Sequence, residues 1–268
     1  MPELPDVETV RRDLDRWIRG TRIVHARSAD RRVLRPNAPS AFARALVGRM
    51  VRDVARRGKW IRLELDDGTR VFSHLGMTGW WVARDGDAGA ERFERARIDL
   101  RRREHDSSIR YVDSRRFGRL VVAREDIAEW SALGPDPLVD GIDTRTFAAA
   151  LARSRRSIKD VLMDQTVVAG IGNILATEAL WRSRIDPRSR SNALSAADVR
   201  ALARGLRTEI DRELATRAAP DGAEWNDTFM AYGHAGEPCP RDGTPLVRVV
   251  QSGRTTTFCK KCQILRRS

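Results

Sequence analysis

A proline and a glutamate stand second and third in the opening MPELPDVETV. Once Met1 is removed, Pro2 carries the α-amine and Glu3 sets a carboxylate next to it. An α-amine titrates at about pH 8, roughly two units below lysine, so more of it is free base at neutrality. A free amine beside a carboxylate is a nucleophile with a proton carrier at hand. Most chain ends fray and carry no function. Here Val7, Val10, Leu14, Trp17 and Ile18 have helical spacing, with Pro5 and Asp6 near the first turn and Gly20 as the stop. Such a helix would hold the amine in place.

A second reactive set lies in CPRDGTPLVRVVQSGRTTTFCKKC. Cys259 and Cys262 form a C-x2-C pair, and Cys239 and Asp242 repeat that spacing. A carboxylate is an admissible zinc ligand, so the four residues read as a ribbon for one structural zinc, one thiolate being replaced. His234 is the alternative fourth ligand, and a metal-free ribbon standing on packing is the alternative to zinc. Three cysteines in a cytoplasmic chain point to metal rather than to a disulfide. Between the pairs, PLVRVV and RTTTF flank Gln251, Ser252 and Gly253 as a hairpin with Arg254 at its tip. Seven basic residues against one acidic in 241–268 suit contact with phosphates.

Three internal motifs follow. In GIGN, Asn173 is placed to cap a helix, the glycines permit close approach of a ligand, and open amides at a helix start bind phosphate. SHLGMTG and DSRRFG read as turns at strand ends. Their Met77, Arg115 and Phe117 are a flexible apolar group, a bidentate donor and an aromatic. Such groups fill a vacated base stack and read the orphaned base, although core packing is the commoner use of Met and Phe. Lysine is scarce: Lys59, Lys159, Lys260 and Lys261 stand among 50 basic residues, which draws the eye to each.

These residues need elements to position them. The chain has 268 residues, 41% of them hydrophobic, enough for one large or two ordinary folded domains. Its net charge of +13 favours a polyanionic partner; a membrane surface is the weaker alternative, since no long basic amphipathic helix stands out. No apolar run is long enough for a transmembrane span, and no secretory signal is evident, so a cytoplasmic protein is expected. Residues 21 to about 125 read as strands forming a sandwich or barrel, with an exposed loop over 84–95. A Pro/Asp/Gly linker follows at 133–143, then helices, then the hairpin. The expected domains are 1–132, a β-sandwich; 144–228, helical; and 229–268, the ribbon-like hairpin. The fold class is α+β.

Taken in order, MPELPDVETVRR, RRGKW, HLGMTG, DSRRFG, the IK…DQ…GIGN helix pair and GRTTTFC-x2-CQ closely resemble the formamidopyrimidine-DNA glycosylase and endonuclease VIII family. The resemblance covers nearly the whole chain. It implies a β-sandwich with an N-terminal helix, a helix–two-turn–helix domain and a zinc ribbon, acting as a monomer on double-stranded DNA that contains damaged bases or abasic sites. The implied catalytic set is Pro2 as nucleophile, Glu3 as acid/base, Lys59 and Arg254. Lys159, Asn173 and Arg254 match phosphate-binding positions, and Met77, Arg115 and Phe117 match the void-filling ones. The implied reaction is removal of an oxidised base through an iminium (Schiff base) at Pro2, then strand cleavage by β,δ-elimination, localised to the nucleoid.

Four departures bear on lesion choice. Asp6 replaces a glutamate, Leu175 a common tyrosine and Asp242 a cysteine, and the lesion-gripping segment near 212–232 looks short. DSRRFG resembles the oxidised-purine branch, whereas the short segment leans towards pyrimidines. A catalytically silent damaged-DNA binder is the alternative from another class, and a proline-based tautomerase would leave the basicity and the ribbon unexplained.

Overall fold

Leu4, Val7, Val10, Leu14 and Ile18 fall on one side of a 3.6-residue helix, and all five are buried. They build α1 (Leu4–Ile18), and beyond its end Gly20 takes φ +74°. The computed structural model describes residues 2–102, 105–218 and 229–267. By internal contact they form two units: Asp6–Ser131 with Pro2, and the chain from Ala132 onward with Glu3–Pro5.

In the first unit, β1 (Arg22–Arg27) is followed by two short helices, α2 (Arg31–Leu34) and α3 (Pro39–Leu46). This corrects the all-strand expectation for 21–125. The Asp30 carboxylate accepts the Arg32 and Val33 amides to cap α2, and Pro39 opens α3. Phe42 and Leu46, one turn apart, are fully buried. Apolar residues at i and i+4, without strand alternation, satisfy the core as a helix.

The strands are β2 (Val51–Arg57), β3 (Trp60–Leu65), β4 (Arg70–His74), β5 (Gly79–Asp85), β6 (Glu94–Arg102), β7 (His105–Asp113) and β8 (Arg119–Ala123). They make two antiparallel four-stranded sheets, ordered β1-β6-β7-β5 and β2-β3-β4-β8. Both sheets and α1 supply one apolar core. The expected 84–95 loop is narrower, since β5 runs to Asp85 and β6 begins at Glu94. A short helix, α4 (Ala128–Ser131), buries Trp130 against Phe72, ring centroids 5.5 Å apart.

Two loops run side by side between the sheets. His74, where β4 ends, pairs with Arg119, where β8 begins. Gly79, where β5 begins, pairs with Asp113, where β7 ends. Residues 75–78 and 114–118 therefore cross from sheet to sheet with shared stems.

The second unit contains α5 (Thr144–Ala152), α6 (Ile158–Leu162), α7 (Asn173–Arg182), a 3-10 turn (Ser191–Ala193) and α8 (Ala196–Arg217). A reciprocal pair of bonds between Ser195 and Asp198 starts α8. Gly205 lets α8 approach α7 closely, because a Cβ there would lie 3.0 Å from the Ala179 carbonyl oxygen. The Pro/Asp/Gly stretch is fastened to this unit: the Gly134 amide donates to Gln165, and the Pro135 carbonyl accepts from Ala169, each at 2.9 Å. β9 (Val247–Gln251) and β10 (Arg254–Phe258) form the hairpin. Ser252 and Gly253 both have positive φ, +46° and +73°, the twist that a two-residue hairpin needs. The short lesion-loop segment falls partly on 219–228, outside the described residues. Among the described residues no helix is long and apolar enough to cross a membrane.

Burial of α3 gives a stability test. Phe42→Ala should cost about 3–5 kcal/mol in denaturant unfolding, as expected for a large side chain lost from a packed core. A cost below about 1 kcal/mol would place α3 outside that core.

Candidate functional site

Glu3 is almost fully buried in the second unit. Its Oε2 accepts the amides of Gly172 at 3.1 Å and Leu175 at 3.0 Å, and its Oε1 accepts that of Ile174 at 2.9 Å. The Leu4 amide donates to the Gly170 carbonyl at 3.0 Å. The expected cap by Asn173 is therefore corrected. The residue preceding α7 is Gly172, which has no side chain to cap with, and the orphan amides bind a carboxylate some 170 residues away in sequence. They are also not open to a phosphate.

The glycines of GIGN serve this contact. A Cβ on Gly172 would lie 2.3 Å from the Glu3 carboxyl carbon, and one on Gly170, at φ +90°, would lie 2.7 Å from Leu4 Cβ. Gln165 steadies the loop: its Nε2 donates to the Met163 and Ile171 carbonyls and its Oε1 accepts the Gly170 amide. Gln165 belongs to a motif noted in the sequence, but its role appears only in space.

Lys159 and Asn173 converge on the hairpin. Lys159 is buried, and its Nζ donates to Thr256 Oγ1 at 2.6 Å and the Thr255 carbonyl at 3.4 Å. Asn173 Nδ2 donates to the same carbonyl at 3.0 Å. Its Oδ1 is buried with no hydrogen-bond partner among the described residues. Burial lowers the Lys159 pKa to about 8; the Arg254 guanidinium pushes the same way, and the Glu3 and Asp160 carboxylates pull it back. Glu3, Lys159 and the exposed Arg254 thus act on one another as charges, with the neutral Asn173 sharing the Thr255 carbonyl with Lys159.

Pro2 and Lys59 lie in the first unit. Lys59 sits in the two-residue turn between β2 and β3, with Gly58 at φ +56° as its first residue. His74, which the sequence reading did not single out, is held nearby in charge terms. Burial, then Lys59 and Arg119, lower its pKa to about 4, so it is neutral at pH 7. Its Nδ1 accepts the Gly76 amide at 3.0 Å, which leaves Nε2 as the N–H donor. The signal was its place at the end of a strand, in SHLGMTG.

Met77 and Phe117 are 40% and 45% exposed, which sets aside the core-packing reading of these two side chains. The Arg115 guanidinium stacks over the Phe117 ring at 4.8 Å, and that of Arg32 lies 5.6 Å from the same ring. Met77 is on one crossing loop; Arg115 and Phe117 are on the other.

The ribbon residues meet. Ligand atoms of Cys239, Asp242, Cys259 and Cys262 all lie within 4.8 Å of one another. The Cys239 and Cys262 sulfurs are 3.8 Å apart, and Cys259 Sγ lies 3.6 and 3.5 Å from the two Asp242 oxygens. A tetrahedral zinc with Zn–S of about 2.3 Å and Zn–O of about 2.0 Å requires S···S near ~3.8 Å and S···O near ~3.5 Å. The set fits one structural zinc. His234 is instead paired with Glu237 at 2.9 Å. Arg241 stacks on Trp181 at 3.8 Å, donates to the Trp181 and Arg182 carbonyls, and reaches Cys262 Sγ at 3.9 Å.

Known proteins share this arrangement. Residues 1–120 match the formamidopyrimidine-DNA glycosylase N-terminal domain, 133–219 the formamidopyrimidine-DNA glycosylase H2TH domain, and 236–264 a zinc finger found in FPG and IleRS. The chain is 36% identical to the formamidopyrimidine-DNA glycosylase of Herpetosiphon aurantiacus, over 98% of this chain and all of that one. It is 37% identical to that of Salinispora arenicola, over 98% and 96%. A Lactococcus lactis formamidopyrimidine-DNA glycosylase, non-covalently bound to DNA with an abasic site, superposes with TM-score 0.88 at 29% identity, over 97% and 99% of the two chains. MutM in complex with carbocyclic 8-oxoG-containing DNA gives TM-score 0.88 at 29% identity, over 98% and 99%.

Two measurements test the site. With only four lysines, the Lys159 side chain can be followed by NMR, and its titration should centre near pH 8. Removing a like charge in Arg254→Ala should raise that midpoint, and removing the opposite charge in Glu3→Gln should lower it. For the ribbon, metal analysis should find one zinc in wild type, loss in Asp242→Ala, and firmer retention against a chelator in Asp242→Cys, since thiolate is the softer ligand. Full zinc in Asp242→Ala would remove Asp242 from the site.

Proposed function

The chain belongs to the formamidopyrimidine-DNA glycosylase family, and on that premise we propose that it excises oxidised bases, purines foremost, from double-stranded DNA and then cleaves the strand as an abasic-site lyase. The observation that carries the reading is the buried Glu3 carboxylate, held by three amides directly after Pro2. A purine preference is supported by the DSRRFG turn and by the oxidised-purine DNA bound in related structures.

Pro2, with Met1 removed, attacks the sugar C1′ of the damaged nucleotide. The C1′–base bond breaks and the base leaves with its electron pair and a proton. After the amine loses its proton and the sugar ring opens, C1′ is a cationic iminium, because a secondary amine cannot reach a neutral imine. This electron sink acidifies the C2′ proton, and its loss expels the 3′ phosphate. Glu3 holds or moves protons at this centre. Its fixed position is what the role requires, since a mobile carboxylate would lose alignment.

Lys159, Asn173 and Arg254 receive phosphates, Lys59 and the Nε2–H of His74 are further donors for phosphate oxygens, and Met77, Arg115 and Phe117 occupy the space left by the extruded base. Zinc, when bound, folds the ribbon that presents Arg254 and supplies no chemistry to the sugar. The enzyme works as a monomer. We infer a cytoplasmic, nucleoid-associated location from its charge and substrate.

Borohydride trapping tests the reading. The protein should form a stable crosslink with abasic-site duplex DNA. One additional residue before Pro2 converts the amine into an amide and should abolish the crosslink while DNA binding persists. Undiminished crosslinking in the extended protein would exclude Pro2 as the nucleophile.

A further inference from the structure

The crossing loops 75–78 and 114–118 are joined by a polar contact built on a buried carboxylate, with the exposed Thr78 as one of its donors. Asp113, at the end of β7, is fully buried. Its Oδ1 accepts the Thr78 hydroxyl and, at 3.2 Å, the Arg115 amide; its Oδ2 accepts the Gly118 amide at 2.7 Å. Thr78 Oγ1 also accepts the Arg115 amide at 3.2 Å. One hydroxyl and one carboxylate thus connect the residue after Met77 to the backbone of Arg115 and to the residue after Phe117.

The surrounding packing leaves little slack. A Cβ on Gly76 would lie 2.4 Å from the Phe117 carbonyl carbon, and one on Gly118 would lie 1.6 Å from the Tyr111 hydroxyl oxygen. That hydroxyl donates to the His74 carbonyl at 3.1 Å. The loops touch backbone to backbone, and the Asp113–Thr78 contact fixes how far one slides along the other. Met77, Arg115 and Phe117 themselves project outward and are exposed.

We propose that Asp113 and Thr78 are positioning residues that hold Met77 in register with Arg115 and Phe117, and so set discrimination for the base opposite the lesion. This rests on the reading that those three side chains enter the DNA. Reading an opposing base needs the Arg115 fork placed to a fraction of an ångström, and a loop free to slide would bind several bases about equally well. The contact fixes the two loop backbones before DNA arrives, so the entropy spent on encounter is that of the exposed side chains alone.

The test uses duplexes with a single 8-oxoguanine opposite cytosine or adenine, and compares the ratio of kcat/KM values. Thr78→Val keeps the shape and removes the hydroxyl. Its ratio should fall about three- to tenfold, the effect of one hydrogen bond to a carboxylate weakened by the exposure of its donor. Thermal unfolding and borohydride crosslinking to abasic DNA should remain near wild type, and Thr78→Ser should restore the ratio. Asp113→Asn, which sets an amide N–H₂ against a backbone N–H, should lower the ratio further where it folds. Arg115→Ala is the reference. If it destroys discrimination while Thr78→Val retains it, the positioning role falls alone. If Arg115→Ala leaves discrimination intact, the reading of the loops falls first.

Discussion

The hydrogen bonds from three amides to one carboxylate at the start of α7 set the terms for the rest of the active region. A helix start carries unpaired amides and a partial positive charge, and burying it without a partner is costly. In this protein the partner is Glu3, so the position of the carboxylate proposed as acid/base and the satisfaction of a buried helix end are the same contact. The constraint propagates outward. Gly172 and Gly170 must lack side chains, Gln165 must hold the turn, and Leu4 must enter the apolar core of the helical unit. A substitution at any of them would shift the carboxylate from its three amide donors.

The cationic character of the chain is of two kinds. Most arginines are paired: Arg56 with Glu8 at 3.0 Å, Arg182 and Arg212 with Glu209, Arg266 with Asp198. These neutralise one another locally and hold elements together. Arginine suits the work because its planar fork stays charged when buried. Lys159 differs, since burial brings it to about pH 8, within reach of neutrality. A compact ammonium with that balance is sensitive to each nearby charge, and Glu3, Asp160 and Arg254 all act on it. The scarcity of lysine in the sequence is thus informative at this position.

What the sequence disclosed and what it hid divide along one line. α1, the strand runs, α8 and the hairpin all show in local periodicity or turn residues, and the metal ligands show in paired spacings. α2 and α3 were missed because each is too short to establish a helical period against its strand-like surroundings. The cap of α7 was misassigned to Asn173 because capping preference is a local rule, whereas Glu3 arrives from the far end of the chain. Asn173 instead turns to the Thr255 carbonyl. Asp113 and Thr78 sit inside motifs visible in the sequence, yet only the pairing of Gly79 with Asp113 shows that the motifs face each other. Contacts set by sheet register, rather than by neighbours in sequence, are what a single chain of letters conceals.

The metal site connects to the same helix from its other end. Arg241 lies between two zinc ligands in sequence, but its guanidinium is spent on the Trp181 and Arg182 carbonyls, the last of α7, with Trp181 as its stacking surface. A cation at the carbonyl end complements the helix dipole as the Glu3 carboxylate complements the amide end. α7 is therefore clamped by opposite charges at both termini, one from residue 3 and one from the ribbon. Because the ribbon is too small to bury a core of its own, its folding draws on the metal. The placement of Arg241, and with it the seating of the hairpin against α7, then depends on the ligand set. Replacing one thiolate by Asp242 lowers the net softness of that set, while the carboxylate keeps the separation from Cys259 Sγ that a tetrahedral site requires. The chain thus keeps the shape that orients its hairpin while accepting a weaker hold on the ion that folds it.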